Sequence, residues 1–269
     1  MTSRAIVLAR GLGRRMQQRD AAATMTEDQL RAADAGLKAV MPVGGRPFLD
    51  FILGSLADAG VSDVALVVAP EHEAVRRYYA DHPAKRSRLA FVVQQEAIGT
   101  ANAVLAAERW TAGVPFLVMN ADNLYPTDAL QRLAALNEPG LPVFARDDLV
   151  GTSNIPDDRV LSFALLDVDS NGYLMDIIEK PSPQQLAAAG PSAPVSMNCW
   201  RFDAGIFRFC REIPRSTRNE FELPEAVGLA VRHGLRFKTV AARGPVLDLS
   251  RRSDTAEVER RLSGVVPRP

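Results

Sequence analysis

Short apolar runs alternate with amphipathic stretches through the first half of the chain. Residues 5–9, 64–69, 89–94 and 116–119 are rich in Val, Ile, Leu and Phe and read as strands buried on both faces of a parallel sheet. Between them, residues 48–56 place apolar side chains at helical spacing and stop at Gly60, and residues 71–79 and 100–110 repeat the pattern. Repeated strand–helix–strand units predict an α/β fold, a Rossmann-like, mostly parallel sheet flanked by helices. Residues 17–36 break the rhythm. They are polar and Ala-rich, Thr26 and Gln29 have capping-box spacing, and Gly36 is the expected stop. They read as an insertion lying over the preceding glycine loop, a mobile lid.

The second half changes character. Residues 160–168, 173–178 and 195–202 read as strands, with 169–172 as a hairpin-type turn. Residues 181–194 read as a Pro/Ala loop, 222–233 as a helix, 236–240 as a strand and 255–262 as a terminal helix, while 265–269 have little to bury. One domain over residues 1–269 is expected, with halves at 1–145 (carrying the 17–36 insertion) and 146–252, and a C-terminal helix and tail at 253–269.

Composition narrows the function classes. Lys plus Arg equals Asp plus Glu at 32 each, so no bulk attraction to nucleic acid or to an anionic membrane is expected. No apolar run reaches the length of a membrane span. Met1-Thr2-Ser3-Arg4 leads straight into a strand, and Cys199 and Cys210 are isolated, which together predict a reduced, cytoplasmic protein. His72, His82 and His233 lack metal-ligand spacing.

The candidate chemistry starts where the first strand runs into Arg10-Gly11-Leu12-Gly13-Arg14-Arg15-Met16. Gly11 and Gly13 allow a sharp turn and close approach to a ligand, and free amides beside arginines suit phosphate oxygens. A Walker A loop is absent. A dinucleotide fingerprint needs a third small residue where Met16 stands and an acid about twenty positions on, where position 35 is Ala. Alone, the loop is equally well a tight strand-to-helix turn with solvated arginines.

Further runs follow in order: Leu37-Lys38-Ala39-Val40-Met41-Pro42-Val43, Gln94-Gln95-Glu96-Ala97-Ile98-Gly99-Thr100-Ala101, Val118-Met119-Asn120-Ala121-Asp122-Asn123, Ile178-Glu179-Lys180-Pro181, Val195-Ser196-Met197-Asn198, Glu220-Phe221-Glu222-Leu223-Pro224 and Val246-Leu247-Asp248-Leu249-Ser250. Gln94 ends a strand and its amide can read a base edge. Gly99 leaves room for the base, and Thr100 is placed to open the next helix. Asp122, just past a buried strand, falls at the carboxyl edge of the sheet, where α/β ligands bind. Pro181 is expected to hold Lys180 extended.

In this order the runs resemble the sugar-phosphate nucleotidyltransferases, or NDP-sugar pyrophosphorylases, from Ile6 to about Asp254. The resemblance implies the nucleotide-diphospho-sugar transferase type of fold, an NTP and a sugar 1-phosphate as substrates, and Mg²⁺ as cofactor. It puts the nucleotide on Leu8, Ala9, Gly11, Gly13, Gln94, Gly99 and Thr100, in the 1–145 half. It makes Arg15 the grip on departing pyrophosphate, Lys38 the neutraliser at the α-phosphate, and Lys180 the partner of the acceptor phosphate. Asn123, Glu179, Lys180 and Asn198 would bind the substrate, the last three in the 146–252 half, and Asp122 and Asp248 the metal.

The chain departs from the family pattern at Arg10, where a small residue is usual, at Arg14, where Thr or Ser is usual, and after Asp248, where Gly-Thr-Pro is lost. A non-sugar phosphate or phosphonate acceptor, a nucleotide-sugar-using glycosyltransferase, and a catalytically silent regulatory subunit are the competing readings. A homo-oligomer is compatible with all of them.

Overall fold

The structure, a computed structural model, describes residues 1–11, 13–20 and 23–269. Strands β1 (Arg4–Leu8), β2 (Asp63–Val68), β3 (Arg88–Val93) and β4 (Phe116–Asn120) form a parallel block in the order β4-β1-β2-β3. The rest of the chain adds β5 (Gly140–Ala145), β6 (Ala164–Val168), β7 (Leu174–Glu179), β8 (Pro194–Ser196), β9 (Trp200–Phe202) and β10 (Lys238–Ala242). Among the described residues one sheet runs β7-β6-β8-β5-β9-β4-β1-β2-β3, with β10 parallel to β5 and the β9–β4 seam antiparallel.

Alternation along the strands packs both faces. Ala5 and Val7 join Phe48, Leu49 and Ile52 in one apolar cluster, and Ile6 between them joins Val104, Phe202 and Phe207 in the other. Each fully buried Leu or Phe contributes roughly 1.5–3 kcal/mol. The parallel block therefore delivers the carboxyl ends of β1, β3 and β4 rigidly to one edge.

Several expectations need correction. Strand β5 is not among the expected elements: Pro142 lacks an amide donor, which argues against a central strand, yet here it lies opposite Val240 of β10. This strand of the first half sits among strands of the second, between β8 and β9. Residues 195–202 form two strands, broken where Asn198 takes φ 58°. Residues 160–168 start in the 3₁₀ turns of Asp157–Ser162, and only Ala164–Val168 is strand. The Pro/Ala loop contains a helix, Pro183–Ala189, opened by a capping box between Ser182 and Gln185. The 265–269 tail is docked: the amides of Lys85 and Arg86 donate to Pro269 O at 2.9 and 3.0 Å. The capping box expected at Thr26 and Gln29 is present and opens the helix Glu27–Asp34. Residues 21 and 22 of the expected insertion, and residue 12 of the glycine loop, lie outside the described residues.

Candidate active site

Beyond Leu8 the chain turns through Gly11 and Gly13 into a one-turn helix, Arg14–Gln17. Gly13 has φ 62°, and a Cβ there would lie 2.9 Å from the Gly36 Cα, so only glycine lets the loop rest against the end of the 17–36 stretch. A cleft of about 640 Å³ opens at the carboxyl edge of the parallel block. It is lined by Leu8, Arg10, Gly11, Gly13, Arg14, Arg15, Lys38, Gln94, Gly99, Thr100, Asn120 and Asp122, with Ala97, Ala103, Arg218, Glu220 and Ser250. Arg14 and Arg15 are exposed, and among the described residues their guanidinium groups have no partner. Ala9 stays outside this lining; it is buried, and its amide donates to Val67 O at 2.8 Å.

Arg10 is fastened rather than free. Its Nε donates to Gln94 O at 2.8 Å and its Nη2 to Gln95 O at 3.1 Å, tying the loop to the end of β3. Gln94 is itself oriented. Its Nε2 donates to Gly99 O at 3.1 Å and to Asn102 Oδ1 at 2.9 Å, which leaves the Oε1 acceptor uncommitted.

The reasons for Gly99 and Thr100 differ from those expected. Gly99 has φ 112°, and a Cβ would meet Phe221 O at 2.3 Å, so the Phe221 backbone is what demands glycine. Phe221 donates to Ile98 O at 2.8 Å and accepts from the Ala101 amide at 2.9 Å. Thr100 does not cap the helix Thr100–Ala106; its Oγ1 accepts from the Leu223 amide at 2.9 Å. This seam carries Arg218 and Glu220 into the cleft, more than a hundred residues from Gly99 in sequence. The Glu220–Pro224 segment was visible as a motif, but nothing local showed which of its neighbours would line the cleft.

The two metal candidates meet through a short antiparallel pair in which Asn123 lies opposite Asp248, and the Leu249 amide donates to Asp122 O at 2.8 Å. Lys38 Nζ sits 3.1 Å from Asp122 Oδ2. Asp248 is buried, and its carboxylate accepts from Arg159 Nη1 and Asn123 Nδ2, each at 3.3 Å. Asn123 thus serves Asp248 and lies outside the cleft lining. Burial, then the nearby charge of Asp122, pushes the Asp248 carboxyl above the usual range. Arg159 also pairs with Asp254 at 2.7 Å. Three carboxylates, Asp122, Asp248 and Asp254, therefore share two cations, Lys38 and Arg159. Both Asp254 oxygens are taken by Arg159 and by backbone amides, so Asp122 and Asp248 are the hard oxygen donors left to suit a divalent cation such as Mg²⁺, and no cluster of three or more ligating side chains forms among the described residues.

The acceptor candidates gather elsewhere on the same sheet. Glu179 pairs with Ala164, which pairs in turn with Ser196, so the three stand in a row across β7, β6 and β8. Lys180 is not extended: it takes φ 52° while its amide donates to Phe163 O at 3.1 Å, because the ladder continues to its nitrogen before the chain bends toward the Ser182-capped helix. Glu179 Oε2 and Asn198 Oδ1 are buried without a hydrogen-bond partner among the described residues. Burial pushes the Glu179 carboxyl up to about 7 against the opposing pull of Lys180 3.8 Å away. Lys180 is pulled below its ordinary value by burial and by the charge of Arg218. Glu179, Lys180 and Asn198 are not in the lining of this cleft. Arg218 links the regions, since it lines the cleft and its charge reaches both Glu179 and Lys180.

Comparison with known proteins accounts for this architecture. A family model described as nucleotidyl transferase matches residues 34–249. The UTP–glucose-1-phosphate uridylyltransferase AglF of Haloferax volcanii is 26% identical over 258 residues, 96% of each chain. A glucose-1-phosphate thymidylyltransferase of an Actinoplanes species is 28% identical over 213 residues, 78% of this chain and 65% of that protein. A UDP-glucose pyrophosphorylase solved with UDP-glucose superposes with a TM-score of 0.77 at 16% identity, covering 98% of this chain and 99% of that one, which shows a shared fold. No helix among the described residues is long and apolar enough to cross a membrane. With the family model spanning most of its length, the chain belongs to the nucleotidyl transferase family, the sugar-phosphate nucleotidyltransferases to which its motifs pointed.

Proposed function

We propose that the chain joins a nucleoside triphosphate to a sugar 1-phosphate, giving an NDP-sugar and pyrophosphate. The observation that carries this reading is the convergence in one cleft of two unpaired loop arginines, Lys38 beside Asp122, and an oriented Gln94. Arg14 and Arg15 meet the β- and γ-phosphates, and Lys38 neutralises charge near the α-phosphate. The uncommitted Gln94 Oε1 accepts from a base N–H; uracil and thymine offer N3–H, in keeping with the uridylyl- and thymidylyltransferases among the relatives. On the acceptor side, the partnerless Glu179 and Asn198 oxygens suit sugar hydroxyls, and Lys180 suits the phosphate.

An acceptor phosphate oxygen then attacks the α-phosphorus. The new O–P bond forms in line as the bond to the bridging oxygen breaks, and that oxygen leaves with pyrophosphate. The phosphate dianion is already nucleophilic, so this chain supplies position and charge rather than a general base. Asp122 and Asp248 would hold Mg²⁺, which when bound supplies further neutralisation of the triphosphate.

The deciding experiment is pyrophosphate release measured with UTP, dTTP, CTP, ATP and GTP, each against glucose 1-phosphate, inositol 1-phosphate and an alkylphosphonate. Release with UTP or dTTP and the hexose phosphate is expected. Release only with the other acceptors would shift the reading to a non-sugar substrate. Binding of NDP-sugar without any turnover would make the chain a regulatory subunit.

A further inference from the structure

Arg252 lies four residues beyond Asp248 and is 6% exposed. Its guanidinium collects acceptors from segments remote in sequence. Nε donates to Met16 O at 2.8 Å, Nη2 reaches Gln17 O at 3.4 Å, and Nη2 also pairs with the Asp34 carboxylate. Met16 and Gln17 end the one-turn helix that carries Arg14 and Arg15. A helix this short does not hold itself in water. Here the loop-side bond from the Gln17 amide to Gly13 O, at 2.9 Å, is complemented at the other end by the Arg252 fork.

The turn that carries Arg252 is fixed in its own right. Asp254 Oδ2 accepts from the amides of Ser250 and Arg251 at 3.0 and 2.7 Å, while its Oδ1 accepts from Arg159, which also donates to Asp248. A continuous set of bonds therefore runs from Asp248 through Arg159 and Asp254 to the Arg252 turn, and from there to the helix bearing Arg15. Asp34 adds the end of the Glu27–Asp34 helix to the same point. Its carboxylate is 69% exposed, so the ion pair alone contributes little, whereas the buried bonds to carbonyls are charge-assisted.

We propose that Arg252 is a positioning residue: it sets the register of Arg15, and of the end of the 17–36 stretch, against the Asp122–Asp248 edge. Two nitrogens of one rigid plane share these acceptors, Nε on Met16 O and Nη2 on Gln17 O and Asp34, a spread that a single ammonium does not reproduce, so lysine replaces it poorly. The proposal rests on the reading of Arg15 as a triphosphate contact.

The test uses the full chain with UTP and glucose 1-phosphate. Arg252→Met should lower kcat/KM for UTP roughly 10- to 100-fold, the scale of a small misplacement of a catalytic group, with the glucose 1-phosphate KM unchanged. Arg252→Lys should recover part of that loss at most. In an Arg15→Ala background, Arg252→Met should cost far less than it does alone, because most of its effect passes through Arg15. Full additivity, or equal damage to both substrates, overturns the proposal. Amide exchange over residues 13–18 and 27–36 of Arg252→Met should quicken at least about tenfold while β4 stays protected. Loss of protection in β4 as well, or no change in either segment, also overturns it. If the unaltered chain turns over no UTP, the reading of Arg15 falls, and the exchange result alone decides whether Arg252 holds these segments.

Discussion

On the nucleotide side of the sheet, Arg14 and Arg15 stand exposed with no partner among the described residues, whereas on the acceptor side Glu179 and Asn198 bury oxygens that accept from nothing. One region holds spare donors and the other spare acceptors. Hydrated arginines cost little while they wait for an anion. A buried unsatisfied acceptor costs about 1–3 kcal/mol, so the acceptor side carries strain that a hydroxyl-rich ligand relieves. The contrast teaches how one sheet sorts two anionic substrates. On the proposed function, the triphosphate is selected by charge, and the sugar phosphate by hydrogen-bond complementarity around a single lysine.

The strongest way to break this comparison is through the carboxylates at the edge of the nucleotide cleft. Asp122→Ala and Asp248→Ala should each lower kcat by on the order of 10³-fold with Mg²⁺ present, and the double variant should lose little more, because both serve one ion. Additive losses, or full turnover in EDTA, would remove the shared metal. Next, Arg15→Ala should cost roughly 10²–10³-fold in kcat, the scale of one lost transition-state donor. Steady-state kinetics with Arg14→Ala alongside would expose an exchange of roles between the two arginines.

Lys180→Ala sharpens the contrast from the other side. The acceptor KM should rise about 10- to 100-fold, as expected for a lost charged hydrogen bond, while the NTP KM holds. A rise shared by both substrates would merge the two regions.

The last effect is read in stability rather than in turnover. Glu179 ionises near 4.5 when unfolded and near 7 when folded, so between these values the folded chain holds the extra proton. Its contribution is fully present below about pH 4.5 and is lost as pH rises through about 7, on the order of 3 kcal/mol. Glu179→Gln should flatten this part of a Tm-against-pH series. An unchanged slope would mean that Glu179 is solvated and that the acceptor side holds no such strain.

Parts of this architecture were legible because they are local. The runs at β1, β2 and β4 are continuous and apolar, as strands buried on both faces must be; β3 is as apolar but lies half-buried at the edge of the sheet, and the Thr26–Gln29 box is a four-residue signal read without a partner. The misses have physical causes as well. Pro142 disguised a central strand, and prolines around residues 181–194 hid a helix whose capping box, Ser182 and Gln185, was nonetheless written in the sequence. Gly99 has a reason that no local pattern shows, since the backbone that excludes a side chain there belongs to Phe221.

The sequence by itself determined the alternation of elements, the glycine loop and the residue types able to meet phosphate, because periodicity, turn geometry and side-chain chemistry act over a few residues. The tertiary structure alone decided which of these meet. It brought Arg218 and Glu220 into the cleft, turned Asn123 toward Asp248, hung the loop helix on Arg252, and placed Glu179, Ala164 and Ser196 in one row. Such contacts join positions tens to hundreds of residues apart, and their energy exists only after strand order and register have closed the chain upon itself.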